Sequence, residues 1–117
     1  MTPTAERLFR LADYQTKRKT VYFNRPELDQ LLQLYSRHVA RGEWRDYAID
    51  HRAGQAMFSV FRHTHETPLY AIVKQGGGQR PIEYVVLSGR ERLAAGRNLG
   101  DVLALFQKKL TLVHSRA

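Results

Sequence analysis

The residue types most capable of chemistry in this chain lie in four places. His63-Thr64-His65-Glu66 is the nearest approach to a metal site. Residues two apart on an extended segment share a face, so the His63 and His65 imidazoles can reach one ion. A structural or catalytic site needs at least a third protein ligand. His51 falls at the far end of its strand, so none is supplied, and the pair reads as surface histidines with no metal. Asp46 and Asp50 are the second place. Four residues of strand set them ~13 Å apart, too far for the paired acid and base of a glycosidase. They read as a solvated face, or as partners of Arg45, Arg52 or Arg62. The third is Gln75-Gly76-Gly77-Gly78-Gln79-Arg80. A phosphate-binding loop runs from a strand into a helix and ends in Lys-Ser/Thr. This one joins two strands without that ending, so it reads as a flexible hairpin loop. Ser36, Ser59, Ser88 and Ser115 show no nucleophile-elbow spacing; His38 reads as a surface residue and His114 as part of a disordered C-terminus.

The fourth place is basic. The net charge is +8. Its densest run is Lys17-Arg18-Lys19, and a second group, Arg90, Arg92 and Arg97, leads into the last helix. Free N–H groups at a helix start attract anions, so these three arginines are expected to converge there on phosphate or carboxylate. Elsewhere the excess is spread along the chain, which predicts attraction to polyanions without naming one. Tyr22, Phe61 and Tyr70 lie near bases and, if exposed, offer stacking surfaces to nucleobases.

The elements that must position these groups follow from periodicity. Thr20-Val21-Tyr22-Phe23 is β-branched and aromatic, hence a short strand. Asn24 and Glu27 have capping-box spacing, with Pro26 in the first turn. Leu28, Leu31, Leu32, Tyr35 and Val39 then recur at helical spacing until Gly42, predicting a helix over 25–41. Strands are expected at 45–51, 56–63, 69–74 and 82–87, with turns at 52–55 and 65–68. Links this short argue for an antiparallel meander. Residues 88–97 read as a polar loop. Asn98 caps a final helix with Leu99, Val102, Leu103, Phe106 and Leu110 as its stripe. Trp44 and Tyr47 read as core.

The fold class is therefore α+β, in the order β-α-β-β-β-β-α: a four-stranded meander with two main helices packed on one face. The single domain spans 19–113. Residues 1–18 form a mobile or loosely docked arm, with Leu8, Phe9 and Ala12 on one side, and 114–117 form a tail. Alternation along the strands leaves apolar groups on both sheet faces. The helices cover one; the other requires the arm, a second subunit or a ligand.

The stretches Gly42-Glu43-Trp44-Arg45-Asp46-Tyr47-Ala48-Ile49-Asp50, Phe58-Ser59-Val60-Phe61-Arg62 and Pro68-Leu69-Tyr70 resemble a family found mainly in alphaproteobacteria, domain of unknown function 2794. The similarity spans about residues 20–75, and residues 76–117 match weakly. It implies a bacterial cytoplasmic protein and transfers no catalytic residues.

The chain has no cysteine, which excludes disulfides, thiolate metal sites and a cysteine nucleophile. No signal peptide is evident in the first residues, and no stretch approaches the ~20 apolar residues of a membrane span, so a cytoplasmic location is expected. The leading expectation is a non-enzymatic nucleic-acid (polyanion) binding domain using Lys17, Arg18, Lys19, Arg90, Arg92 and Arg97, although no known nucleic-acid-binding signature is present. The alternative is a homodimeric interaction module built on the second sheet face. A small anionic ligand binder or enzyme comes third. No cofactor, membrane or small-molecule substrate is expected.

Overall fold

The computed structural model describes residues 19–63 and 67–116, with side chains through Gln107. The arm at 1–18 lies outside the described residues, together with Lys17, Arg18, His65 and Glu66. Two helices and five strands follow one another as α1 (Arg25–Ala40), β1 (Asp46–Arg52), β2 (Gln55–Phe61), β3 (Tyr70–Gly77), β4 (Arg80–Ser88), β5 (Glu91–Gly96) and α2 (Leu99–Arg116). Helix α2 thus takes in residues 114–116, which the spacing left as a tail.

Helix α1 starts where the capping box places it. Asn24 Oδ1 accepts the Glu27 N–H at 2.9 Å, and Glu27 Oε1 accepts the Asn24 N–H at 2.7 Å. It ends at Arg41, after which Gly42 adopts φ 73° and donates its N–H to Val39 O. The buried line is Glu27, Leu31, Leu34 and His38. This is rotated by one residue from the expected stripe, leaving Leu28, Leu32 and Tyr35 half-buried and Val39 exposed. Two polar side chains thereby replace two apolar ones in the contact with the sheet. The stripe of α2 is buried at Leu99, Val102, Leu103 and Phe106, and Asn98 Oδ1 accepts the Asp101 N–H at 3.0 Å.

The strands form one antiparallel sheet whose spatial order equals their sequence order. It has five strands, not four. The segment 88–97 is no loop: Val85 pairs with Ala95, Val86 with Ala94 and Leu87 with Arg92. A bulge between Val86 and Leu87 places Leu93 out of the alternating register, and both Leu93 and Ala94 reach the core. That extra residue breaks the period of two by which a strand is read. The expected first strand is likewise replaced by a single bridge, Thr20 to Ala53. Beyond it the chain leaves the β1 edge so that Phe23 can enter the core at 5% exposure.

The glycine-rich segment also differs from a flexible loop. Strands β3 and β4 continue to Gly77 and Arg80, leaving a two-residue turn. Gly76 sits at φ 101° in a bulge, where a Cβ would lie 2.2 Å from Pro81 O. Only glycine satisfies both conditions.

One sheet face carries Ala56, Phe58, Val60, Ile72, Tyr84 and Val86, which join Leu31, Leu34, Trp44 and the α2 stripe in one cluster. Burying each large apolar side chain contributes roughly 1.5–3 kcal/mol. Both helices lie on this inner face and run in the same direction. The first turn of α1 reaches Lys74 and Tyr84 near the β3–β4 turn, while His38 and Phe106 meet Trp44 at the opposite end.

The outer face consists of cross-strand rows. Asp50, Met57, Val73, Val85 and Ala95 form one; Ala48, Ser59, Ala71, Leu87 and Arg92 form the next. Both faces are apolar at the centre, as the alternation requires.

Candidate anion-binding rim

The ends of the strands gather residues that are far apart in sequence. At the end of the sheet beneath the C-terminus of α1 lie the α1–β1 connection, the close of β2, and the Gly89-Arg90 turn between β4 and β5. Arg45 donates its N–H to Phe61 O at 2.8 Å, which sets Arg45 beside Arg62. The rim continues across the strand ends to Arg90 and Arg92, ~10–14 Å away at 4.8 Å per strand. Arg41, at the C-cap of α1, stands at the same end. All five arginines are exposed. Arg45, Arg62, Arg90 and Arg92 form no ion pair with a described residue.

The acids at this end are Glu43, Asp46 and Glu91. The Glu43 carboxylate lies 3.4 Å from His38 Nδ1, and Asp46 Oδ1 accepts the Tyr47 N–H at 2.8 Å. The rim therefore presents more guanidinium than carboxylate. Exposed guanidiniums suit phosphate, which they can grip through two parallel N–H bonds.

Of the six arginines and lysines expected to bind anions, the four among the described residues are not brought together. Arg90 and Arg92 belong to the rim. Arg97 and Lys19 lie at the opposite end of the sheet, where β5 closes and where Lys19 O accepts the Gly54 N–H. The length of β5, ~20 Å, separates Arg90 from Arg97. The expected convergence of three arginines on the start of α2 thus fails, because the segment between them is a strand rather than a loop. Sequence reasoning missed Arg45 and Arg62 because only the pairing of β1 with β2 brings them side by side.

Other candidates resolve differently. His63 is exposed, and no group of three metal-binding side chains exists among the described residues. Asp50 pairs with Arg52 at 2.5 Å. The stacking candidates share no surface: Tyr22 is 61% exposed and tilts against His51 on the inner side, Phe61 points outward, and Tyr70 packs on Phe106. Trp44 is core, as expected. Tyr47 is not, at 39% exposure, although its ring stacks on Phe58, because β1 is an edge strand.

The strongest electrostatic feature is interior. Glu27 accepts hydrogen bonds from Lys74 Nζ at 2.8 Å, from the Tyr84 hydroxyl and from the Asn24 N–H. Lys74 Nζ also donates to Tyr22 O at 2.9 Å. Burial alone pushes the Glu27 carboxyl up, but the bonds from Lys74, Tyr84 and Asn24 outweigh it and hold it below its ordinary value. Burial and then the Glu27 carboxylate push the Tyr84 hydroxyl up to about 12. Both carboxylate oxygens of Glu27 are engaged by these donors. The network fastens the start of α1 to the centre of the sheet.

His38 is buried at 4% exposure and stacks on Trp44 at 3.9 Å. Burial lowers its pKa, and Glu43 opposes that only in part. Apart from the Glu43 carboxylate near Nδ1, its ring nitrogens have no hydrogen-bond partner among the described residues, so the imidazole packs as a neutral group, not the surface residue expected. The clefts are shallow. One of about 180 Å³ lies between the helices, lined among others by Gln30, Gln33, Arg37 and Gln107; a hollow of about 510 Å³ lies on the outer side of α1, at Asp29, Gln33, Ser36 and Arg37. Asp29 and Ser36 share the outer hollow but stand seven residues apart on α1, about 10 Å, so they do not pair as base and nucleophile. No helix of the described residues is long and apolar enough to cross a membrane.

Comparison with known families matches residues 21–103 to a family model of proteins of unknown function, DUF2794. No curated protein and no solved structure matches.

Proposed function

For a chain that belongs to the DUF2794 family of proteins of unknown function, we propose non-enzymatic binding of nucleic-acid phosphates along the arginine rim. The observation that carries this reading is the line of exposed arginines from Arg45 and Arg62 to Arg90 and Arg92, unpaired among the described residues at one end of the sheet. Phosphate contacts of this kind position a strand without reading its sequence. The net charge of +8 adds long-range attraction.

The alternative, a homodimer formed through the outer sheet face, draws on Met57, Phe61 and Leu87. Against it, Val73 and Val85 at the centre of that face are each only 2% exposed within a single chain. A titration of labelled single- and double-stranded oligonucleotides at several salt concentrations tests the rim. Affinity is expected to fall with salt, by about 0.7–0.9 in log–log slope per phosphate neutralised. Replacing Arg45, Arg62 and Arg90 together by glutamine is expected to lower that slope by about 2–3. No binding at low salt, or an unchanged slope in the triple variant, refutes the proposal.

A further inference from the structure

The outer sheet face presents a contradiction that its own residues do not remove. Val73 and Val85 are 2% exposed and Ser59 is 8% exposed, yet none belongs to the cluster built with α1 and α2. Both helices lie on the other face. Around these three the exposure rises outward: Met57, Phe61, Ala71 and Leu87 are half-buried, and Ala48 on β1 and Ala95 on β5 are exposed. The protected strip thus crosses β2, β3 and β4 and leaves both edges open. That is ~10 Å across, the width of one helix.

We infer that residues 5–14 of this same chain cover the strip, with Leu8, Phe9 and Ala12 facing Val73 and Val85. Where the chain enters the described structure supports this occupant. Thr20 bridges Ala53 and Lys19 O accepts the Gly54 N–H, so residue 19 is tied to the β1–β2 turn. From that turn Val73 is two strands across and three residues down, ~14 Å away. The five steps from Tyr14 to Lys19 reach ~17 Å when extended, and a ten-residue helix over 5–14 would span ~15 Å of the face. Charge agrees: Arg7, Arg10, Lys17 and Arg18 exceed Glu6 and Asp13 before the entry point, and the outer face carries Asp46, Asp50 and Glu83 against Arg52 and Arg92 around its apolar centre. A second copy offers the outer face a surface of its own kind, with no excess of bases over acids to match. The inference is independent of the arginine rim, which lies at the far end of the sheet from residue 19.

The chain has no cysteine, so a single introduced thiol reports on the face. Val73→Cys in the full chain is expected to react with a thiol reagent about tenfold or more slowly than Ala95→Cys, its exposed neighbour in the same row. Adding Leu8→Glu and Phe9→Glu is expected to bring the Val73→Cys rate to within about threefold of Ala95→Cys, with unchanged far-ultraviolet circular dichroism. An unchanged Val73→Cys rate in the arm variant overturns the inference. So does protection that disappears on dilution of the unaltered arm, which assigns the cover to a second copy. If Val73→Cys does not fold, Ala71→Cys in the next row reads the same outcomes.

Discussion

Lys74→Met isolates the charge of the interior network while keeping side-chain length. In the folded protein the Lys74 side chain is 12% exposed and that of Glu27 is 6% exposed. Water therefore does little to screen the pair. Removing the ammonium leaves a buried carboxylate held by Tyr84 and the Asn24 N–H alone. Removing one member of a buried, hydrogen-bonded ion pair costs about 3–5 kcal/mol. The Tyr22 carbonyl also loses its donor, which adds to the upper part of that range. At roughly 4–5 °C per kcal/mol for a domain of this size, the midpoint falls by about 12 °C or more. Urea unfolding at pH 7, followed by circular dichroism, measures the difference. The companion variant Glu27→Leu/Lys74→Met/Tyr84→Phe removes every member together. It is expected to lose less than Lys74→Met, chiefly the ~1 kcal/mol of the capping box. A loss below about 1 kcal/mol for Lys74→Met refutes the argument, because it means that water solvates the pair. The pH dependence gives a second check. The folded pKa of Glu27 is lowered, so its contribution is present above the ordinary carboxyl pKa and is lost as pH falls through the folded value. Lys74→Met is expected to flatten that acid limb, and an unchanged limb contradicts it.

Three further outcomes follow from the same structure. Burial and then Glu27 push the Tyr84 hydroxyl from its ordinary 10.0 up to about 12, so it contributes stability below pH 10 that is lost as pH rises from 10 to 12, about 2–3 kcal/mol in all; Tyr84→Phe is expected to remove this alkaline step in a urea series. His38 has a lowered pKa and stacks on the single tryptophan, so the stability it contributes is present above 6.5 and lost as pH falls through its folded value. Trp44 emission should quench on the same descent, and His38→Leu should abolish both changes. Gly76→Ala, with its Cβ 2.2 Å from Pro81 O and φ at 101°, is expected to cost about 3 kcal/mol or more in urea unfolding, whereas Gly78→Ala at φ 62° with open space costs about 1 kcal/mol.

The sequence makes the helix starts legible because capping is local: Asn24 with Glu27, and Asn98 with Asp101, act within one turn. The two-faced sheet is equally legible, since alternation in Phe58-Ser59-Val60 needs no knowledge of neighbours. Strand β5 is hidden by physics that is not local. It is an edge strand with charged outer positions at Arg92 and a bulge at Leu93, so its pattern resembles a loop until Val86 is seen to pair with Ala94. The rim is hidden for the same reason, because Arg45 and Arg62 meet only through β-pairing. The interior network left one signal that the periodic reading passed over. Lys74 has the parity of Ile72, which places a charge on the inner face of β3, and Tyr84 is its direct partner on β4. A lysine at an inward position demands a buried acid. Glu27 supplies it, although capping alone accounts for its place in the sequence.

The identity of spatial and sequential strand order has a kinetic consequence. Each strand closes on its predecessor through a short loop, so the sheet can zip hairpin by hairpin with little entropy lost at any step. The two helices are the exception. They belong to opposite ends of the chain, so bringing His38 onto Phe106 closes the longest loop and is expected to come late. Sealing the inner face is therefore the late event. Trp44, lodged between those two rings, marks the moment at which a zipped sheet becomes a closed protein.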